Sequence, residues 1–264
     1  MVGNGYQAGG AWYYPREDFR YDAAGLAERI PDHAGATADG EAFDPAAMEG
    51  AHQTLQLPAI ARVTNLENGR QVEIRINDRG PANPGRILGL SRRAAELLGM
   101  PASGATRVRV QVEDGPSQAL RDRLQGTAPG VTAAPRGAVS AETLAPPPGI
   151  AQSSRVRVAT ATPTASEASE PVSEAPDRLP ERVTEVPPQP GQLWIEAGQF
   201  GQATYANRVK AKLYGLPVTV ERMQGTRPPQ FRVEAGPFPD VASADAALDR
   251  ARAAGVTDAQ IVVE

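Results

Sequence analysis

The sequence predicts a small N-terminal β-barrel and a C-terminal α+β domain, separated by a disordered linker. Three observations lead to this prediction. Residues 25–114 contain alternating apolar runs between Gly- and Pro-rich turns, with one helical pattern among them. Residues 115–190 hold 13 of the 25 prolines and no Phe, Trp or Tyr. Residues 191–264 follow the element order β-α-β-β-α-β, the split βαβ arrangement.

The barrel strands are predicted from period-two alternation. Runs 59–65 and 71–77 are joined through Asn68-Gly69, a pair that supplies the positive φ angles of a tight hairpin. A third alternating run covers 107–113. The intervening helix is predicted to begin after Ser91 as N-cap and to stop at Gly99.

In the C-terminal part, strands are expected at 193–197, 217–221, 231–235 and 260–263, and helices at 205–213 and from Ser243 to Ala254. Residues 195–200 recur in pattern as 233–238, so the domain resembles two related halves. Each copy ends in a phenylalanine, Phe200 or Phe238. These rings are interpreted either as core side chains under the helix starts or as glycan contacts.

The Pro-rich segment cannot bury enough apolar surface to offset its ordering entropy, so 115–190 is predicted to be a disordered linker. Within this segment, the pattern of residues 119–124 is compatible with a short helix. Residues 1–24 precede the barrel. Their aromatic stretch at 12–19 is interpreted as a strap packed on the barrel, with a glycan-stacking arm as the alternative.

Composition excludes several classes of function. The chain has 264 residues, a formal net charge of −4, no cysteine and two histidines. A disulfide framework, a thiolate metal site and a cysteine nucleophile are therefore excluded, and neither a metal nor a cofactor is expected. The charge gives no reason to expect a nucleic-acid partner.

No apolar run approaches the ~20 residues that span a bilayer, and residues 1–10 show no secretory signal pattern. Taken alone, this pattern indicates a cytoplasmic protein. A chain that begins after its export signal is the alternative.

The densest polar cluster in the barrel part comprises residues 37–41, His52 and residues 77–81. The carboxylates of Glu41 and Asp78 together with a histidine suit acid/base chemistry on a glycosidic bond. The alternatives are structural: Asp78 as a turn former, Glu41 as a solvated loop charge and His52 as a buried core residue.

Four stretches, in this order and spacing, resemble the rare lipoprotein A (RlpA) family of endolytic peptidoglycan transglycosylases. They are 37–44 (TADGEAFD), 51–58 (AHQTLQLP), 62–70 (RVTNLENGR) and 76–81 (INDRGP). The resemblance implies a six-stranded double-psi β-barrel over residues 25–114. The segment 191–264 resembles a SPOR domain, the usual C-terminal partner in this family.

The resemblance implies cleavage of the MurNAc–GlcNAc β-1,4 bond, with 1,6-anhydroMurNAc ends as products. By position in the motifs, Glu41, His52 and Asp78 are the active-site candidates. Asp78 is assigned as acid/base, Glu41 as a stabiliser of the positively charged sugar, and His52 as a residue that orients a carboxylate. Further glycan contacts are expected at the positions Asp39, Arg79, Gln199, Phe200 and Phe238.

The sequence departs from the family at four places. Residues 28–31 (ERIP) replace a Trp-Tyr-containing stretch, Asp39 replaces Asn, Gly89 replaces Asp, and Glu196 replaces the Gln of the first SPOR strand. The Trp-Tyr loss removes a sugar-stacking surface. A wall-binding protein with an inactive, expansin-like barrel is therefore the alternative to the enzyme.

The resemblance also implies partners and an address. SPOR domains bind glycan strands without stem peptides, which are enriched at division septa, so a role in cell division is expected. Members are exported to the cell envelope of Gram-negative bacteria and lipid-anchored. Membrane association is expected only through such an anchor, whose cysteine this chain lacks.

Overall fold

The computed structural model describes residues 2–124, 178–226 and 228–264. In the N-terminal part the elements are β1 (Tyr6–Ala8), β2 (Ala11–Tyr13), β3 (Asp22–Arg29), β4 (Glu49–His52), β5 (Ala59–Asn65), β6 (Arg70–Asp78), β7 (Leu88–Leu90), α1 (Arg92–Leu97), β8 (Ala105–Val112) and α2 (Asp114–Leu124). In the C-terminal part they are β9 (Thr184–Glu185), β10 (Leu193–Phe200), α3 (Ala203–Lys212), β11 (Val218–Arg222), β12 (Phe231–Phe238), α4 (Val241–Ala253) and β13 (Gln260–Val263).

Strands β3 to β8 close into a six-stranded barrel in this part of the chain, as the double-psi prediction requires. Their order is β4-β7-β3-β8-β5-β6, and β6 returns to pair with β4. The β3–β7 and β4–β6 pairs are parallel, and the other pairs are antiparallel. The interior is filled by aliphatic side chains, which include Leu55, Ile74, Ile76, Leu88, Leu90 and Val110.

The local predictions for the barrel are confirmed. β5 and β6 pair antiparallel across the turn that Gly69 completes with φ of 78°. Ser91 caps α1, since its side chain accepts a hydrogen bond from the Ala94 amide at 3.2 Å. Gly99 follows the helix with φ of 69°.

Both ends of the predicted linker contact the barrel. Helix α2 begins at Asp114, and Ser117 Oγ accepts from the Ile60 amide at 2.9 Å and donates to its carbonyl at 3.1 Å. Strand β9 pairs with β6, and the Gln189 amide donates to the Leu66 carbonyl at 2.8 Å. The remainder of the predicted linker, 125–177, lies outside the described residues.

The C-terminal domain has the predicted β-α-β-β-α-β order. Its antiparallel sheet runs β11-β12-β10-β13, and α3 and α4 pack on its apolar face. The expectation that Ser243 caps α4 is wrong, because Asp240 holds that position. The Asp240 carboxylate accepts from the Ser243 amide at 2.7 Å, which places Ser243 inside the first turn.

The described barrel residues and the C-terminal domain belong to one compact unit. Leu26 of β3 and Leu66 of the β5–β6 turn are buried in the same apolar cluster as Leu193, Leu248 and Ile261. The C-terminal domain is therefore docked on the barrel through an apolar seam. None of the helices in the described ranges combines the length and hydropathy needed to cross a bilayer.

Candidate active site

The loop that carries Glu41 is closed on itself and then joined to β6. Ala36 and Ala42 form an isolated bridge, and the Thr37 amide donates to the Glu41 carbonyl at 2.7 Å. The Asp39 carboxylate accepts from the Thr37 hydroxyl at 2.7 Å and from the Glu41 amide at 3.3 Å. Asp39, a predicted glycan contact, thus uses one carboxylate oxygen for hydrogen bonds within its own loop.

Glu41 is held by two side chains of β6. Arg75 donates to Glu41 Oε1, and the Asn77 amide nitrogen lies 3.3 Å from Oε2. The Arg75 side chain is only 10% exposed, against 30% for Glu41. A buried guanidinium and a side-chain amide therefore fix the orientation of this carboxyl group.

Asp78 ends β6 and faces the same loop. Its Oδ1 accepts from the Ala38 amide at 2.8 Å and from the Arg79 amide at 2.7 Å. Among the described residues no group donates to its Oδ2. One oxygen of this half-buried carboxylate is fixed and the other is left to interact with a bound molecule.

His52 lies on the neighbouring strand, with Ala51 of β4 paired to Asp78. The ring is 3% exposed, and its Nδ1 accepts from the Thr54 and Leu55 amides at 3.1 and 3.2 Å. Burial, with a smaller effect of the Arg79 charge, lowers the pKa of His52 to about 3. The imidazole is thus neutral and carries its proton on Nε2, for which the described residues offer no hydrogen-bond partner.

Arg79 connects the His52 turn to Asp78. Its Nη1 donates to the carbonyls of Leu55 and, at 3.4 Å, His52, and its Nη2 donates to the Val2 carbonyl at 2.7 Å. The guanidinium is engaged by backbone groups on both sides of the strand end. His52 therefore stabilises the turn whose carbonyls accept from Arg79, the residue that directly follows Asp78.

The structure brings the loop of Glu41 to the strand end that carries Asp78, and places His52 at the end of the paired strand β4. Sequence reasoning missed two residues of this cluster, Arg75 and Glu49, and included Asn77 only as part of the polar stretch 77–81. Alternation along β6 predicts Arg75 on an exposed face, but β4 and the Glu41 loop cover that face at the end of the strand. Burial raises the pKa of Glu49, which accepts from the Asp44 amide at 3.2 Å.

Gln199, Phe200 and Phe238 lie apart from this cluster, on β10 and β12. Gln199 donates to Glu196 at 3.1 Å, while both phenylalanines are partly buried against the apolar core of the C-terminal domain. Within the described ranges, no three His, Asp or Glu side chains form a group that could hold a metal ion.

Two departures from the family pattern, Glu28 and Gly89, are cross-strand partners on β3 and β7 of the barrel. Glu28 is 3.9 Å from Arg86, which pairs with Asp245 of α4. Gly89 leaves room for Ile30, since a Cβ at this glycine would lie 2.8 Å from Ile30 Cγ1. A third departure, Glu196, pairs across strands with the buried Glu234, whose pKa burial raises.

Comparison with known proteins gives a consistent pattern. A family profile described as "Lytic transglycolase" matches residues 7–110, and a SPOR domain profile matches residues 189–262. Among similar proteins is one from Pseudomonas aeruginosa PAO1 named endolytic peptidoglycan transglycosylase RlpA, 35% identical over 269 residues. The match covers 98% of this chain and 76% of that relative.

A protein of the same name from Escherichia coli K12 is 46% identical over 108 residues, which is 40% of this chain and 29% of the relative. A crystal structure of the RlpA SPOR domain from Pseudomonas aeruginosa matches with 24% identity and a TM-score of 0.26. That match covers 27% of this chain and 99% of the solved one.

Proposed function

The chain belongs to the RlpA family of peptidoglycan lytic transglycosylases, and we propose that its barrel cleaves the β-1,4 bond between MurNAc and GlcNAc in peptidoglycan. The preferred substrate is a glycan strand without stem peptides, and the product ends in 1,6-anhydroMurNAc. Membership rests on the relative that aligns with nearly the whole chain. The arrangement of Asp78 supports the proposal most directly.

The reaction is an intramolecular displacement. The 6-hydroxyl of MurNAc attacks its own C1, the bond from C1 to the GlcNAc oxygen breaks, and that oxygen takes a proton. The 6-hydroxyl proton must then leave. One carboxyl group can donate the first proton and accept the second, so no enzyme nucleophile and no water are required.

We assign the acid/base role to Asp78. Two backbone amides fix its Oδ1, and Oδ2 has no donor among the described residues. A carboxyl held in this way presents one oxygen in a defined direction, as proton transfer in both directions requires. The fixed oxygen limits rotation of the group between the two steps.

Glu41 is assigned to the positive charge that develops at C1. The buried Arg75 and Asn77 hold its two oxygens, so the carboxylate is positioned before substrate arrives. His52 is a positioning residue. Its neutral ring holds the turn whose carbonyls anchor Arg79, and Arg79 in turn donates its amide to Asp78.

The test is digestion of peptide-free glycan strands with the full chain, followed by mass analysis of the ends. We expect 1,6-anhydroMurNAc ends, and at least a ~100-fold loss of kcat in Asp78→Asn. Glu73→Gln is the matched control, because Glu73 is an exposed carboxylate on the same strand. Equal activity in Asp78→Asn and the wild type would show that Asp78 is not the acid/base of the reaction.

A second outcome is defined by the stretch 28–31, which replaces the family's aromatic pair and in which Glu28 lies 3.9 Å from Arg86. If the folded chain pulls down glycan strands and releases no new ends, the protein is a wall-binding member of the family.

We further propose that the SPOR domain directs the enzyme to peptide-free strands at the division septum, within the periplasm of a Gram-negative cell. The match over residues 189–262 supports this address. A fluorescent fusion exported to the periplasm should concentrate at constricting septa. A fusion truncated after residue 124 should lose that pattern, and retention of the pattern would assign localisation to the barrel.

A further inference from the structure

On the basis of the proposed function, we propose that Trp12 and Tyr14 form a sugar-stacking subsite beside the barrel site, and that its occupant is a pyranose ring of the glycan strand. The two rings stand on a hairpin in front of the barrel. Trp12 is 58% exposed and Tyr14 is 68% exposed. Two large aromatic rings exposed side by side on one short element indicate a binding surface, because exposing their apolar faces to water is unfavourable.

The hairpin has two different faces. Tyr6 and Tyr13 are cross-strand partners with ring centroids 5.5 Å apart, and Ala11 beside them is buried. Trp12 and Tyr14 are two residues apart and so share the opposite face. Their rings are nearly parallel, with an interplanar angle of 20° and centroids 6.5 Å apart.

The inner face joins the hairpin to the turn that follows His52. Tyr6 Oη donates to the Gln53 carbonyl at 2.9 Å, and Gln53 Nε2 lies 3.1 Å from both Tyr13 Oη and the Pro81 carbonyl. Burial raises the pKa of Tyr6 to about 12, so its hydroxyl remains a donor. The hairpin is thus attached to the two segments that flank the candidate site.

The chain after Tyr14 stays on the same segment. The Arg16 amide donates to the Thr54 carbonyl at 2.9 Å, and the Asp18 amide donates to Gln56 Oε1 at 2.9 Å. Tyr14 therefore stands between two anchors, Tyr13 and Arg16, on the 52–56 segment. The hairpin that carries the exposed rings is therefore anchored to the segment that directly follows His52.

Two glycines of the hairpin make close contacts. A Cβ at Gly5 would lie 3.0 Å from the Tyr14 ring, so the missing side chain lets this ring approach the backbone. From the other side, Arg252 of α4 donates to the Gly9 carbonyl at 2.6 Å. Rings fixed before binding lose little entropy when a ligand stacks on them.

The geometry points to a saccharide as the occupant. A pyranose ring has a face of C–H groups that packs on an aromatic ring, and hydroxyls around its edge that hydrogen-bond to polar neighbours. Gln7, the exposed cross-strand partner of Trp12, supplies such a neighbour. The rings would therefore hold a sugar outside the scissile bond and position the strand.

Fluorescence tests this subsite without relying on turnover. The chain has two tryptophans, Trp12 and Trp194, so Trp194→Phe leaves Trp12 as the reporter. Titration of this full-length variant with peptide-free glycan strands should give a saturable change in Trp12 emission. Strands that bind the chain, as measured by co-sedimentation, without changing this emission would overturn the proposal.

Kinetics give a second readout. In the double variant Trp12→Ala and Tyr14→Ala we expect KM for glycan strands to rise about tenfold with kcat within twofold. Trp12→Phe should keep most of the affinity, because it keeps a ring. Tyr214→Ala is the control, since Tyr214 is 91% exposed and lies on the C-terminal domain.

An unchanged KM in the double variant would also overturn the subsite. Failure of the proposed activity would be seen separately. If the wild-type chain released no anhydro ends while Trp12 emission still responded to glycan strands, the subsite would stand and the proposed reaction would be wrong.

Discussion

Arg86 of the barrel and Asp245 of helix α4 form a two-pronged ion pair, with N–O distances of 2.7 and 2.8 Å. The Arg86 side chain is 8% exposed and that of Asp245 is 36% exposed, so a buried guanidinium of one domain is paired with a partly exposed carboxylate of the other. Beside it, Gly85 packs on the second domain, since a Cβ there would lie 3.0 Å from Leu248 Cδ2. The barrel and the C-terminal domain therefore meet at a specific interface.

Asp245→Ala should weaken this interface. It leaves the buried Arg86 with the Gly85 carbonyl at 3.2 Å and the Glu28 carboxylate at 3.9 Å, and we expect a loss of roughly 2–3 kcal/mol in the free energy of unfolding. Urea denaturation of the full chain measures it. Asp249→Ala, on an exposed position of the same helix, should change the stability by less than about 0.5 kcal/mol. Equal effects of the two variants would contradict a specific interface.

Glu41→Gln should lower both stability and turnover, because the buried Arg75 loses its anion and the reaction loses a carboxylate. A second change separates the two effects. Adding Arg75→Met to the Glu41→Gln chain removes the uncompensated charge, so the melting temperature should rise again to near that of the wild type. We expect kcat to remain at least ~10-fold below that of the wild type. Recovery of turnover along with stability would show that Glu41 acts only on the fold.

His52 should make the folded state sensitive to acid. Its pKa is about 3 in the folded chain, against an ordinary value near 6.5 when unfolded. Between these two pH values the unfolded state binds a proton that the folded state does not. Stability should therefore fall as pH drops below 6.5, by up to ~1.4 kcal/mol per pH unit.

His52→Asn tests this pH dependence, because an asparagine oxygen can accept the Thr54 and Leu55 amides and does not titrate. Denaturant unfolding at pH 4 to 7 should show a flatter dependence of stability on pH in this variant. His33→Asn, at the exposed second histidine, should keep the wild-type slope. The same slope in His52→Asn and the wild type would exclude His52 as its source.

Gly9→Ala should detach the N-terminal hairpin from the barrel. A Cβ at Gly9 would lie 2.0 Å from the Ala82 carbonyl oxygen, whereas a Cβ at Gly10 would lie 3.4 Å from the Arg252 Nη2. Both glycines have positive φ, so Gly10→Ala carries the same backbone strain without the clash. Limited proteolysis should cut within residues 1–20 much faster in Gly9→Ala than in Gly10→Ala. Equal rates would show that the hairpin is not held at this point.

Local patterns in the sequence predicted much of the fold. Val72, Ile74 and Ile76 alternate with polar residues, Ser91 precedes a helical stripe, and Asn68-Gly69 joins two strands. Each of these signals acts over a few residues, where backbone sterics and side-chain period decide the conformation. The motifs around Glu41, His52 and Asp78 likewise mark the candidate residues, because they lie within short continuous stretches.

Strands β3, β4 and β7 escaped prediction, and of these β4 and β7 are runs of four and three residues that show no clear period. They are strands because their neighbours supply hydrogen-bond partners: β4 bridges β6 and β7, and this pairing closes the barrel. Helix α2 similarly begins earlier than its apolar pattern indicates, as Ser117 bonds to Ile60 across 57 residues of sequence.

The sequence by itself determined the two folded parts, most of their regular elements and the stretches that carry the candidate chemistry. Only the tertiary structure decided that Arg75 is buried against Glu41, that His52 is neutral and bonded to its own turn, and that the N-terminal hairpin leaves Trp12 exposed. The physical reason is the range of the interactions. Turns and caps depend on neighbouring residues, whereas burial, and the charge state that follows from it, depends on which distant segments cover a side chain.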